Sequence, residues 1–188
     1  YLTQTNNQDS VIAFNCGVCA DKIKKPADAL KYFDIAVQKK YNLANAYIGK
    51  AGALKDLKKN DEYVATLKEG LEAVPGNKTL TKLYATYYVN QGILAQRAKK
   101  NSAAEEAFKQ AVSIQPDNVN ALNSLGSLYY NQGATLLKTD ADKAKEEFKQ
   151  AKEYLDKLIP LLSADKPAQK KMKDNANTML NFINSQLQ

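Results

Sequence analysis

The chain has 188 residues, 44% of them hydrophobic, which suits one ordinary domain or a short repeat array and excludes a disordered or collagen-like chain. Eight Gly and five Pro are too few for a loop-dominated sandwich, whereas Ala, Leu, Lys, Asn and Gln are abundant, so an all-α fold is expected. The net charge of +7 comes from lysines and a single arginine, Arg97, and the absence of histidine removes the commonest general base and transition-metal ligand.

The chain opens on Tyr1 without a charged-then-apolar leader, so removal of the native start is expected. Residues 1–9 read as a polar lead-in, and a helical pattern follows through Val11, Phe14 and Val18. Within it, Cys16 and Cys19 form a C-G-V-C string. Zinc needs two further ligands that the chain lacks, and a redox pair normally opens a helix after a strand, so two small buried residues one turn apart are expected. Lysine pairs at Lys24-Lys25, Lys39-Lys40, Lys58-Lys59 and Lys99-Lys100 fall at expected helix ends, where they complement the helix dipole or solvate a surface. The positive excess lies mainly in the first hundred residues. One Arg and no Trp fit a nucleic-acid reader poorly, because such readers use Arg forks and stacking aromatics. No apolar run approaches the roughly 20 residues that cross a bilayer.

One string recurs along the chain: Ala, three residues, a large apolar residue, two residues, a small one. It reads Ala29, Phe33, Ala36, then Ala104, Phe108, Ala111, then Ala144, Phe148, Ala151, with a degraded copy at Tyr63, Leu67, Gly70. A helix carrying small residues precedes each copy, marked by Gly17 and Ala20, Ala51 and Leu54, Ala85 and Tyr88, and Gly126 and Tyr129. Pro75 and Pro116 close two of the second helices ahead of turns ending at Asn77 and Asn118. Antiparallel helices approach closely only where small residues cross, and Gly17, Ala29, Ala104, Gly126 and Ala144 are placed for that. Phe33, Phe108 and Phe148 are the expected plugs between hairpins. Ser102 with Glu105 reads as a capping box.

With these residue types at these spacings the chain resembles the tetratricopeptide repeat, a helix–turn–helix of 34 residues. In frame, the repeats are 10–43, 44–77, 78–118 and 119–158, followed by a linker and C-terminal capping helix over 159–188. Ala13, Tyr47, Thr81 and Leu122 stand where the family has Trp. The resemblance implies an all-α, right-handed superhelical array of antiparallel helix hairpins. Asn90-Gln91-Gly92 and Asn131-Gln132-Gly133 stand where the first helix of a repeat normally ends. The residues after them, Ile93 to Lys99 and Ala134 to Thr139, are expected to carry those helices about two turns, roughly 10 Å, further. Such extensions would pack on each other or form a docking tip. The last helix, entered at Asp165-Lys166-Pro167, places Ala168, Met172, Ala176, Met179, Ile183 and Leu187 on one stripe that would cover the fourth repeat.

The resemblance also implies a concave groove, lined by the first helices, that accepts an extended peptide or a partner helix. Its positions here are Phe14, Asn15, Val18 and Lys22, then Ile48, Gly52, Lys55 and Asp56, then Lys82, Thr86, Val89 and Asn90, and finally Asn123, Ser127, Tyr130 and Asn131. The clamp by which some members grip acidic chaperone C-termini is absent, since its positions read Phe14, Val18, Gly49, Thr79 and Leu83. A ladder of groove asparagines is likewise missing. No nucleophile with a base, paired carboxylates or Gly-rich phosphate loop falls at useful spacing, so no catalytic residue, cofactor or metal is expected. The expected function is a non-catalytic interaction scaffold that binds a protein or peptide partner in the groove. The alternative is a structural repeat segment of a larger protein or envelope complex, making contact through helix tips and array ends. The Lys-, Asn- and Gln-rich surface and the long-helix repeats look like bacterial cell-envelope members of the family.

Overall fold

A computed structural model describes the backbone of residues 2–188 and the side chains of residues 9–188, and among these there is no strand. The lead-in side chains, apart from Asp9, lie outside the described residues. The helices are α1 (Leu2–Lys22), α2 (Pro26–Gln38), α3 (Leu43–Asp56), α4 (Asn60–Ala73), α5 (Lys78–Arg97), α6 (Asn101–Ile114), α7 (Val119–Leu136), α8 (Ala141–Leu158) and α9 (Pro167–Leu187). A single 3-10 turn, Ile159–Leu161, joins the last two.

The turns follow from local chemistry. After α1, α3 and α5 the chain turns through Lys24, Lys58 and Lys99, each left-handed with φ of 58°, 59° and 58°. The N–H of the next lysine then reaches back five residues, as Lys25 to Ala20, Lys59 to Leu54 and Lys100 to Ala95, which satisfies carbonyls the helix end leaves open. The lysine pairs are thus helix stops. Helix starts use Asn and Asp: Asn77 accepts from the N–H groups of Thr79 and Leu80, Asn118 from Ala121, and Asp140 from Lys143. The capping box expected at Ser102 does not form. α6 begins at Asn101 behind Lys100, which makes no side-chain cap, so Ser102 is already helical, and Glu105 is engaged elsewhere.

The chain resolves into two compact units, Tyr1–Tyr84 and Ala85–Gln188. In the first, the Phe33 ring fills the space between α1 and α3, where a Cβ on Gly17 would lie 3.0 Å from it and one on Gly49 only 2.4 Å. Ala29 and Ala36, fully buried, bring the helices together around that ring. Gly70 of α4 lies under Tyr47 and Leu80 in the same way. In the second unit Phe108 rests on Gly92, Phe148 on Gly133 and Leu155 on Gly126. Ala104, Ala111, Ala144 and Ala151 are fully buried beside them. Truncating Phe108 or Phe148, neither with any exposed surface, to Ala would cost about 3–5 kcal/mol by cavity formation. Helix α9 packs on α7 and α8, with Ala176 and Ile183 buried and Phe182 edge-on to Tyr130 and Phe148.

Two expectations are corrected by these contacts. Cys19 is exposed and Cys16 half-buried, because Ala13, Gly17 and Ala20 take the inner face of α1 and turn both thiols outward. The long first helices are long at the other end. From the seat of the plugging residue to the helix end the distance is five residues in α1 (Gly17 to Lys22), in α3 (Ala51 to Asp56) and in α5 (Gly92 to Arg97), and three in α7 (Gly133 to Leu136). From the helix start to the seat it is eight in α3 (Leu43 to Ala51) but fourteen in α5 (Lys78 to Gly92) and in α7 (Val119 to Gly133). The surplus therefore precedes the Asn-Gln-Gly strings, and no tip is prolonged after them. Leu136 and Leu137 pack against the core of the second unit.

Candidate functional site

Among the described residues, three clefts are lined by polar side chains that the core does not use. In the first unit, Ile48, Gly52, Lys55 and Asp56 of α3 line a cleft of about 280 Å³ with Asp21, Tyr63 and Leu83. Gly52 would meet nothing if it carried a Cβ, so it leaves the wall open there. One acidic and one basic side chain from α3, with Asp21 facing them, give this cleft mixed charge around the apolar Ile48.

In the second unit, a cleft of about 300 Å³ lies between α5 and the start of α7. α5 supplies Thr86, Val89, Asn90 and Ile93, spaced three and four apart on one helical face. The other wall is Asn118, Asn120, Asn123 and Ser124. Asn118 is committed, because its carbonyl oxygen caps α7 and its amide donates to Gln115. That cap fixes the first turn of α7 and so aims Asn120, Asn123 and Ser124 into the cleft. Among the described residues, the amides of Asn90, Asn120 and Asn123 have no protein hydrogen-bond partner. The result is an apolar floor at Val89 and Ile93 under free amides that both donate and accept.

The third cleft, also in the second unit, is an open one of about 500 Å³ between Gln96 of α5, Asn101 of α6, the face Leu128, Asn131, Gln132, Thr135 and Leu136 of α7, and Glu147 of α8. Beside it, the Tyr129 hydroxyl donates to Glu105 Oε1 at 2.7 Å, and Lys109 donates to the same oxygen at 2.7 Å. Burial opposes the charged form of Glu105, but the hydrogen bonds from Lys109 and Tyr129 outweigh it and hold the carboxyl below its ordinary value. Burial pushes the Tyr129 hydroxyl up to about 12. Glu147 goes the other way: burial first, then the charges of Glu105 and Glu146, raise its carboxyl above the ordinary value, against a smaller opposing pull from Lys109.

The positions expected to form the groove are thus distributed. Thr86, Asn90 and Asn123 share the α5–α7 cleft, Ile48 and Lys55 share the α3 cleft, and Asn131 lines the third. Phe14 and Val18 pack on the cluster around Phe33, with Phe14 edge-on to both Phe33 and Tyr41. Tyr130 is held between Phe148 and Phe182, and Ser127 is half-buried on α7 without lining any of the three clefts. Lys82 is exposed on α5. Asn120, Ser124 and Ile93 belong to the α5–α7 cleft without having been assigned to the groove. The spacing of Asn120 three residues before Asn123, in the first turn after the Asn118 cap, is the signal that places it there.

The TPR repeat family model matches residues 98–133. A TPR repeats protein from Bacteroides fragilis NCTC 9343 is 47% identical over 95% of this chain and 87% of its own, with a TM-score of 0.73. MamA from Desulfovibrio magneticus RS-1 is 15% identical over 95% of this chain and 94% of its own, with a TM-score of 0.44. YrrB, a TPR protein with an unusual peptide-binding site, is 17% identical over 97% and 89%, with a TM-score of 0.43. No curated protein matches.

Proposed function

The chain belongs to the tetratricopeptide repeat family, and on that premise we propose that it is a non-catalytic interaction scaffold whose α5–α7 cleft holds an extended segment of a partner protein. The observation that carries this reading is the group of three unpartnered amides, Asn90, Asn120 and Asn123, over Val89 and Ile93. An extended backbone offers alternating N–H and C=O groups, and side-chain amides match both without selecting a charge. The apolar floor accepts one anchoring side chain, which is where binding energy concentrates in such contacts. Among the described residues no helix is long and apolar enough to cross a membrane, and no three Cys, Asp or Glu side chains group as metal ligands.

The test is capture of partner protein from source lysate by the chain and by its Asn90→Asp/Asn123→Asp variant. Both side chains reach solvent, so circular dichroism should show unchanged helix. Capture should fall at least tenfold in the variant, and undiminished capture would remove the α5–α7 cleft as the site.

A further inference from the structure

Two residues that line the third cleft, Gln132 and Glu147, each carry a buried acceptor oxygen with no protein partner, Oε1 and Oε2 respectively. They come from adjacent helices, α7 and α8, and both residues line the same cleft of about 500 Å³. That volume lies inside the roughly 300–1,000 Å³ range of small-ligand sites. A buried polar atom without a partner costs free energy, and a carboxylate costs more than an amide, so a donor entering beside them would relieve that cost. Glu105, the neighbouring carboxylate, is already satisfied by Tyr129 and Lys109, and Lys109 is held there, so neither supplies that donor.

We infer that this cleft is a recognition site for a guanidinium group, with Glu147 as its counter-charge and the carbonyl oxygen of Gln132 as a second acceptor. Three features select guanidinium over other donors. The acceptors are spread over two helices, which suits a planar fork with five N–H groups better than a compact ammonium. Leu128 and Leu136 offer apolar surface for an aliphatic stem. Asn131, Thr135, Gln96 and Asn101 line the cleft, with oxygens for the remaining N–H groups. The raised carboxyl of Glu147 agrees with this, since Glu105 and Glu146 crowd it with negative charge that an entering cation would offset. The inference stands on atoms separate from the α5–α7 cleft, so either reading can fail alone.

The experiment is titration of the isotopically labelled full chain with N-acetyl-arginine methylamide, its citrulline counterpart and methylguanidine, followed through side-chain amide signals. The arginine derivative should shift the Gln132 amide and bind at least tenfold more tightly than the uncharged citrulline compound. Equal binding of the two, or shifts confined to other residues, would overturn the inference. So would a Gln132 amide held by Glu147 itself, seen as slow exchange that no probe alters. The isosteric Glu147→Gln variant should lose at least tenfold in arginine affinity, and unchanged affinity would contradict the role of Glu147. Methylguanidine distinguishes the source: tighter binding of the arginine derivative assigns the site to an arginine side chain on a bound segment, and equal binding assigns it to a free guanidino compound.

Discussion

The ring of Phe108 occupies the space that a side chain at Gly92 would need, with Phe108 Cε1 only 2.4 Å from the position of a Cβ there. The same relation joins Phe148 to Gly133 and Phe33 to Gly17. At the sixteen-residue spacing of Gly92 and Phe108 the second repeat carries Ala51 and Leu67, both fully buried, a smaller plug residue with a larger seat residue. Gly92→Ala should therefore overpack the second unit and cost about 1–3 kcal/mol in denaturant unfolding. Adding Phe108→Leu, which imitates the Ala51–Leu67 pair, should cost less than the two changes summed, and the double-mutant cycle measures that coupling.

Lys99 adopts a left-handed backbone with φ of 58°, a region that penalises any residue with a Cβ. Its N–H still bonds to Gln96, so the turn itself is well made. Lys99→Gly should keep that geometry, remove the strain and raise stability by about 0.5–1 kcal/mol. Thermal or chemical unfolding checks it, with Lys100→Gly, outside the left-handed position, as a control that should gain nothing.

The sequence carried the repeat because packing between neighbouring hairpins imposes a period. Ala104, Phe108 and Ala111 recur as Ala144, Phe148 and Ala151, and all six are fully buried. Ala176 and Ile183 were legible as the buried stripe of the last helix by spacing alone. The end at which α5 and α7 are lengthened was hidden, since Asn-Gln-Gly reads as a helix stop while Gly92 and Gly133 are there to seat rings from the next helix. Glu105 looked like a local cap, but its partner Tyr129 lies 24 residues away, a contact that local spacing does not reveal. The Gln132–Glu147 cleft was invisible for the same reason: its walls come from four helices.

The Tyr129–Glu105 hydrogen bond should contribute about 1 kcal/mol at neutral pH, measurable as the stability difference between the chain and Tyr129→Phe. Its pH dependence follows from the lowered carboxyl of Glu105. A depressed carboxyl stabilises the fold fully above the ordinary glutamate value and loses that contribution as pH falls through the depressed one. The difference between the two proteins should accordingly shrink on acidification, hold near neutral pH, and shrink again in alkali as pH rises through the raised value of the Tyr129 hydroxyl.

Glu147 has the opposite sign, because its carboxyl is raised by burial and by Glu105 and Glu146, with Lys109 opposing. A raised carboxyl favours the folded state at low pH, and that advantage disappears as pH rises through the raised value. Glu147→Gln should thus be more stable than the parent at neutral pH and equal to it below the ordinary glutamate value. Denaturant midpoints collected across that range read the crossover.

Site-specific photo-crosslinking in the source cell tests whether the α5–α7 cleft holds a partner segment. A photoreactive residue at position 123, inside the cleft, is compared with one at Lys149, exposed on α8. The proposed site requires a discrete protein adduct from position 123, lost on Asn90→Asp, and none from position 149. Equal adducts at both positions, or none at 123 while another surface of the chain forms one, would contradict it.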